Sequence, residues 1–295
     1  MPMIGALLLA HTTIFSALLT HECIHQTMFK NPRLSTSVGN FMTVLSGACF
    51  VSYDRLKQQH FDHHRNRVGY DGFSITRWVL SLPAGARRTV IALEYCYIPI
   101  LSVIGRWRAL VLPFFLPKHK ELRPRITFVF VARVSFYSLV FVANPWSLTW
   151  IFASWIAMLN ILRVFDCFHH TFDIIPLGAP MPRLGRDYEQ ANTYSSLISR
   201  KWPWLNWLFL NYGYHNAHHA KPSSHWLELP SIDRMLYPVS ETHCIRCPDL
   251  VTWYHRNRIR RIYNGLGRPR ISDGKLMIGE FWGVIMNISF IVYDV

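Results

Sequence analysis

Residues 126–165 read ITFVFVARVSFYSLVFVANPWSLTWIFASWIAMLNILRVF. Two apolar runs, 126–142 and 146–165, flank Ala143, Asn144 and Pro145, which is turn chemistry. At about 1.5 Å of rise per residue, each run is long enough to cross most of a ~30 Å hydrocarbon layer. The stretch therefore predicts a transmembrane hairpin. Its entry is basic, with Lys118, Lys120, Arg123 and Arg125, and its exit leads into a polar region holding His169 and His170. Both ends return to the same side.

Outward from the hairpin the apolar pattern continues in weaker form. Residues 3–19 are nearly unbroken, interrupted by His11 and three hydroxyl side chains, and run directly into His21 and His25. Because this run leads into functional candidates, it reads as a retained helix and not as a cleaved leader. Residues 89–116 carry Pro99, Arg106, Arg108 and Pro113, which predicts a broken or partly interfacial element. Residues 38–51 are too short for a full span, and residues 203–214, rich in Trp and Leu, predict an interfacial helix feeding the site beyond it. Residues 276–292 are apolar apart from Glu280 and Asn287, a composition compatible with the membrane.

Composition agrees with this reading. Apolar residues make up 51% and aromatics 15% of the 295 residues, and mean hydropathy is positive at +0.13. A net charge of +14 would suggest nucleic-acid binding in a soluble chain. The placement of the charge argues against that: nine Lys and Arg fall in residues 26–88 and fourteen in residues 168–275, between the apolar runs. Short basic loops stay on the cytosolic side, so one orientation puts both intervals on that membrane face. The expected partner is a membrane, not nucleic acid.

Those basic intervals also hold most of the histidines. Eight of the fifteen fall into three groups: His21 and His25; His60, His63 and His64; His215, His218 and His219. On a helix, residues three and four apart share a face, so each group can aim two or three imidazoles in one direction. At this composition about 0.04 copies of H-x-x-H-H arise by chance per chain, and this chain has two. A tetrahedral zinc site needs three or four ligands, so eight clustered imidazoles imply two metal ions, with iron, copper and zinc all open. The six cysteines are mostly isolated, and Cys244 and Cys247 form a lone C-x-x-C with no second pair to complete a zinc site.

The segments His21-Glu22-Cys23-Ile24-His25, His60-Phe61-Asp62-His63-His64 and His215-Asn216-Ala217-His218-His219 resemble, in the same order, the three histidine boxes of the membrane fatty acid desaturase and hydroxylase superfamily. The resemblance implies an all-α integral membrane fold of about four transmembrane helices with interfacial helices, and a histidine-rich di-metal site at the cytosolic face. It also implies two non-haem iron ions, O2 as co-substrate, and oxidation of a lipid chain. Phe168-His169-His170-Thr171 is similar to the family's additional histidine motif, with His170 preferred over His169 as ninth ligand. The implied metal ligands are His21, His25, His60, His63, His64, His170, His215, His218 and His219.

The whole of residues 1–295 reads as one membrane domain, with a core over about 1–230 and a basic C-terminal region. Within the resemblance, desaturation leads hydroxylation or ketolation of a lipid or carotenoid. His21-Glu22-x-x-His25 also fits the zincin pattern of a metallopeptidase, and a non-catalytic metal-binding membrane protein is the third class. The sequence predicts that Glu22, Asp62 and Asp166 orient ligand imidazoles. There is no G-x-G-x-x-G fingerprint, so electrons are expected from an external ferredoxin- or cytochrome-type carrier. Arg256, Arg258, Arg260 and Arg261 are the expected docking cations.

Overall fold

The computed structural model describes residues 2–71, 74–176, 179–238 and 242–284. The chain is mostly helical: α1 (Pro2–His25), α2 (Pro32–Ser46), α3 (Tyr53–Asn66), α4 (Ile75–Ser81), α5 (Ala84–Tyr95), α6 (Ile100–Phe115), α7 (Arg123–Ala143), α8 (Pro145–Asp166), α9 (Arg186–Ala191), α10 (His215–Ala220), α11 (Leu229–Leu236), α12 (Cys247–Asn257) and α13 (Arg260–Asn264). Among the described residues, six three-residue strands form separate pairs: β1 (Gly69–Asp71) with β2 (Ile174–Pro176), β3 (Ser195–Leu197) with β4 (Cys244–Arg246), and β5 (Arg270–Ser272) with β6 (Lys275–Met277).

Among the described residues, three helical stretches are long and apolar enough to cross a membrane: α1, residues 117–143 with α7 as their body, and α8. The α7–α8 hairpin forms where the sequence predicts it. Asn144 accepts from the Trp146 amide to cap α8, and Pro145 opens that helix at a position where no amide is needed. Outward side chains of α7 such as Phe128, Leu139 and Val142 are mostly exposed, as lipid-facing residues are. α5 and α6 together are long and apolar enough to cross but are bent by 113°, so the run at residues 89–116 is the broken element that its prolines and arginines predict, and it makes a fourth span if the bent pair crosses as one.

The bend sits at residues 96–99, where Tyr97 has a left-handed φ of 61°. Glu94 holds it together. Its carboxylate accepts from the Leu101 amide at 2.8 Å and from Arg163 of α8 at 2.8 and 3.3 Å. Both side chains of this pair are buried. Buried charges persist when they are paired and hydrogen-bonded, as these are.

The main core joins α1, α3 and α8. Ile14, Leu18, Cys23 and Ile24 of α1 pack with Tyr53 and Leu56 of α3, with Met158, Leu159 and Leu162 of α8, and with Leu210. α2 takes up residues 38–46 of the weak apolar run and lies along α1. Residues 203–209 form a short 3-10 helix whose Trp204, Trp207 and Leu208 point outward, which suits an interfacial position.

The C-terminal apolar run departs from its membrane reading. Its first residues form β6, antiparallel to β5 across an Asp273-Gly274 turn with φ of 51° and 70°. Asp-Gly with two positive φ values is the preferred two-residue hairpin, and this local preference outweighs the apolar composition. Residues 285–292 of that run lie outside the described residues.

Candidate metal centre

Each histidine group is carried by a different local device. α1 ends at His25, with His21 one turn earlier on the same face. α3 is a full helix, N-capped by the Ser52 hydroxyl and closed by Arg67 in the left-handed region at φ 55°. α10 is a single short helix wedged behind β3. At Gly213, two residues before it, an added Cβ would collide with the Ser196 carbonyl, so the approach needs glycine.

His170 has no helix at all. α8 stops at Asp166, and residues 169–171 pair with residues 192–194. Thr171 donates to the Asn192 carbonyl at 2.9 Å, and Tyr194 to the His169 carbonyl at 2.8 Å. The β1–β2 pair fixes the chain leaving α3 beside the chain leaving His170, with Gly69 opposite Ile174.

All nine predicted imidazoles meet. Nε2 of His25 and His60 are 2.7 Å apart, His60 and His64 3.0 Å, His64 and His218 3.1 Å, and His218 and His21 3.1 Å. Beside this first group, Nε2 of His170 lies 3.2 Å from that of His63 and 2.8 Å from that of His215. A ring nitrogen of His219 lies within 4.8 Å of those of His63 and His170, completing a second group. The His64 and His219 rings, 4.3 Å apart, form the seam between them.

This arrangement fits metal. Nitrogens ~2.1 Å from one ion at right angles stand ~3.0 Å apart, the spacing seen here. The Nε2 atom of His219 is buried without a hydrogen-bond partner. Burial, followed by the neighbouring imidazoles, holds His60, His64, His170, His215, His218 and His219 well below the usual histidine range. Burial also takes His63 down to about 4, partly offset by Asp166. Neutral imidazoles are the form that binds metal.

The predicted orienting carboxylates divide. Glu22 lies 3.1 Å from Nδ1 of His21 and accepts from Thr27 at 2.6 Å. It therefore sits behind the imidazole, away from the convergent Nε2 atoms, and not where a zincin's general base would face a metal-bound water. Asp62 instead pairs with Arg65 at 3.6 Å on the outer side of α3, because position 62 points away from the face shared by 60 and 64. Asp166 accepts from the Tyr212 hydroxyl at 2.9 Å and lies 3.3 Å from Nδ1 of His169, so it contacts no predicted ligand. His169 itself bonds Ser196 Oγ at 2.7 Å and stacks on His215 at 4.1 Å.

Sequence reasoning missed Glu189. Its Oε1 receives His219 Nδ1 at 2.9 Å, and its Oε2 receives Arg67 Nε at 2.8 Å. Thr193, which donates to the Glu189 carbonyl, lies 3.3 Å from Nδ1 of His170. Glu189 stands in a six-residue helix within an irregular polar stretch, and no periodicity marks it. Each histidine group thus has one imidazole backed by a buried carboxylate, Glu22 for the first and Glu189 for the second.

The arginines predicted to dock a carrier divide. Arg256 and Arg260 are exposed, with Arg260 over the Trp282 ring. Arg261 is buried, donating to the Tyr254 hydroxyl and lying over its ring, and Arg258 is buried over Tyr95. Aromatic residues of α5 and α12 draw these two inward. The groups able to hold a metal among the described residues do not include Cys244 or Cys247.

Membrane-length helices ending in a buried, two-part cluster of imidazoles define a class: an integral membrane protein with a histidine-rich cluster able to hold metal. The particular family follows from the comparisons. The model of the fatty acid desaturase family matches residues 1–250, and the chain belongs to that family. No curated protein matches the chain.

Proposed function

We propose that this protein is a membrane oxidoreductase in which nine histidines hold two non-haem iron ions that use O2 to desaturate a fatty acyl or related lipid chain. The observation that carries the proposal is the division of the imidazoles: His21, His25, His60, His64 and His218 around one point, His63, His170, His215 and His219 around another. Family membership supports the lipid substrate.

When bound, the iron pair supplies the oxygen activation that side chains cannot perform. The chain's own residues do the rest. Glu22 and Glu189 hold His21 and His219 by Nδ1, which fixes the tautomer that points Nε2 inward. Ala17, Leu18, Leu162, Phe165 and Phe209 pack with Asp166 and Tyr212 around a small apolar cavity, and the Tyr212 ring lies edge-on against His21. The Tyr212 ring also packs edge-on against His215, so one side chain borders both groups.

In this reading residues 1–295 act as one domain, the basic loops keep the centre on the cytosolic face, and electrons arrive from an external ferredoxin- or cytochrome-type carrier. Expression in a lipid-producing host, with metal analysis and mass spectrometry of the lipids, tests the proposal. Two irons per chain and a product lacking a pair of hydrogens are expected. A product with one added oxygen replaces desaturase with hydroxylase, and a single zinc without oxygen consumption overturns both.

A further inference from the structure

The family match ends at residue 250, yet the chain beyond it packs against residues that flank His170 in sequence. We propose that residues 265–284 form a strap that positions His170 from behind, so that occupancy of the second metal position depends on this C-terminal segment. The inference rests on the two-ion reading of the site.

His60, His63 and His64 owe their direction to a helix; His170 does not. It follows the end of α8 in an irregular segment, and a ligand on such a segment holds its place only if tertiary contacts brace it. One side of the segment is paired with residues 192–194. The strap takes the other. The Val284 amide donates to the Cys167 carbonyl at 2.8 Å. Phe281, fully buried, packs edge-on against Phe168 at 5.3 Å and lies 5.8 Å from Tyr194. Arg268 pairs with Asp173 at 3.1 Å on the far side of His170. Contacts thus fall before and after the histidine.

The strap is itself secured. Trp282 and Gly283 amides both donate to the Leu266 carbonyl, at 3.0 and 3.2 Å, and Trp253 Nε1 donates to the Phe281 carbonyl at 3.0 Å. Gly283 has φ +78°, and a Cβ there would stand 2.9 Å from the Cys167 oxygen. This close approach lets the strap reach the chain just ahead of His169 and His170.

The test uses full-length protein carrying Phe281→Ala, Gly283→Ala or the conservative Phe281→Leu. Iron per chain, site-resolved iron spectroscopy and hydrogen exchange of residues 167–173 are measured. Both alanine variants are expected to weaken the second iron by ~10-fold or more while the first stays bound, with faster exchange confined to 167–173. Phe281→Leu should stay near wild type. The proposal is overturned if both alanine variants bind two irons with wild-type affinity, or if both irons leave together while exchange rises across α1 and α3. Should wild type bind no iron pair, the proposed function fails instead, and exchange at 167–173 still reports whether the strap braces that segment.

Discussion

α3 and α10 carry the same H-x-x-H-H spacing and divide it in opposite ways. In α3 the outer pair, His60 and His64, joins the first group and His63 joins the second. In α10 the outer pair, His215 and His219, joins the second group and His218 joins the first. Residues four apart share a helix face, and the residue beside them is turned by about 100°. Two facing helices with this spacing therefore interlock, each lending one imidazole to the other's group. The motif encodes a pair of sites, and its repetition supplies the exchange.

The largest effects should come from breaking this exchange. His60→Ala and His63→Ala are expected to lower activity by more than ~100-fold while removing different ions, resolved spectroscopically. Loss of the same ion from both variants would sink the interlocked assignment.

The two helices also differ in what supports them, and stability measurements can sharpen that contrast. α3 stands on the core shared with α1 and α8, which the Glu94–Arg163 pair ties to the α5–α6 bend. Glu94→Ala leaves Arg163 buried and unpaired, at a cost of about 3–5 kcal/mol, visible as a lower thermal midpoint in detergent.

Next come the carboxylates behind the two groups. Glu189→Gln should weaken the second ion by ~10–100-fold and Glu22→Gln the first, read from metal titrations. If both variants weaken the same ion, the pairing of one carboxylate with each group fails.

Acid should act on both groups. The histidines of α3 and α10 are lowered in the fold, so below the unfolded value of about 6.5 the unfolded chain binds more protons than the folded one. Metal-free protein should lose stability as pH falls from about 6.5, with the His63 share levelling off below about 4. A flat unfolding profile across that window contradicts neutral, buried imidazoles. Asp62 pairs with Arg65 on the outer side of α3, so the smallest effect belongs to Asp62→Asn, which should change stability by less than ~0.5 kcal/mol.

Legibility followed local regularity. The α7–α8 hairpin is readable because length, apolarity and the Ala143-Asn144-Pro145 turn are all local, and the three boxes because helical spacing is local too. Asp62 and Asp166 were misread because proximity in sequence does not settle direction: one faces outward, and the other lies at the end of α8, where the helical register lapses. Arg258 and Arg261 were misread because exposure is a property of packing, not of charge. Glu189 carried no pattern, since its partners His219 and Arg67 lie thirty residues after it and more than a hundred before it.

By itself the sequence determined that this is a membrane protein of the fatty acid desaturase family with its histidines gathered in helical groups. Hydrophobic length and the periodicity of the helix are written residue by residue, and they suffice for that. Only the tertiary structure decided which imidazole serves which group, which carboxylate stands behind it, and that the C-terminal segment braces His170. Those outcomes depend on distances between residues far apart in the chain, and such distances exist only once the helices have packed.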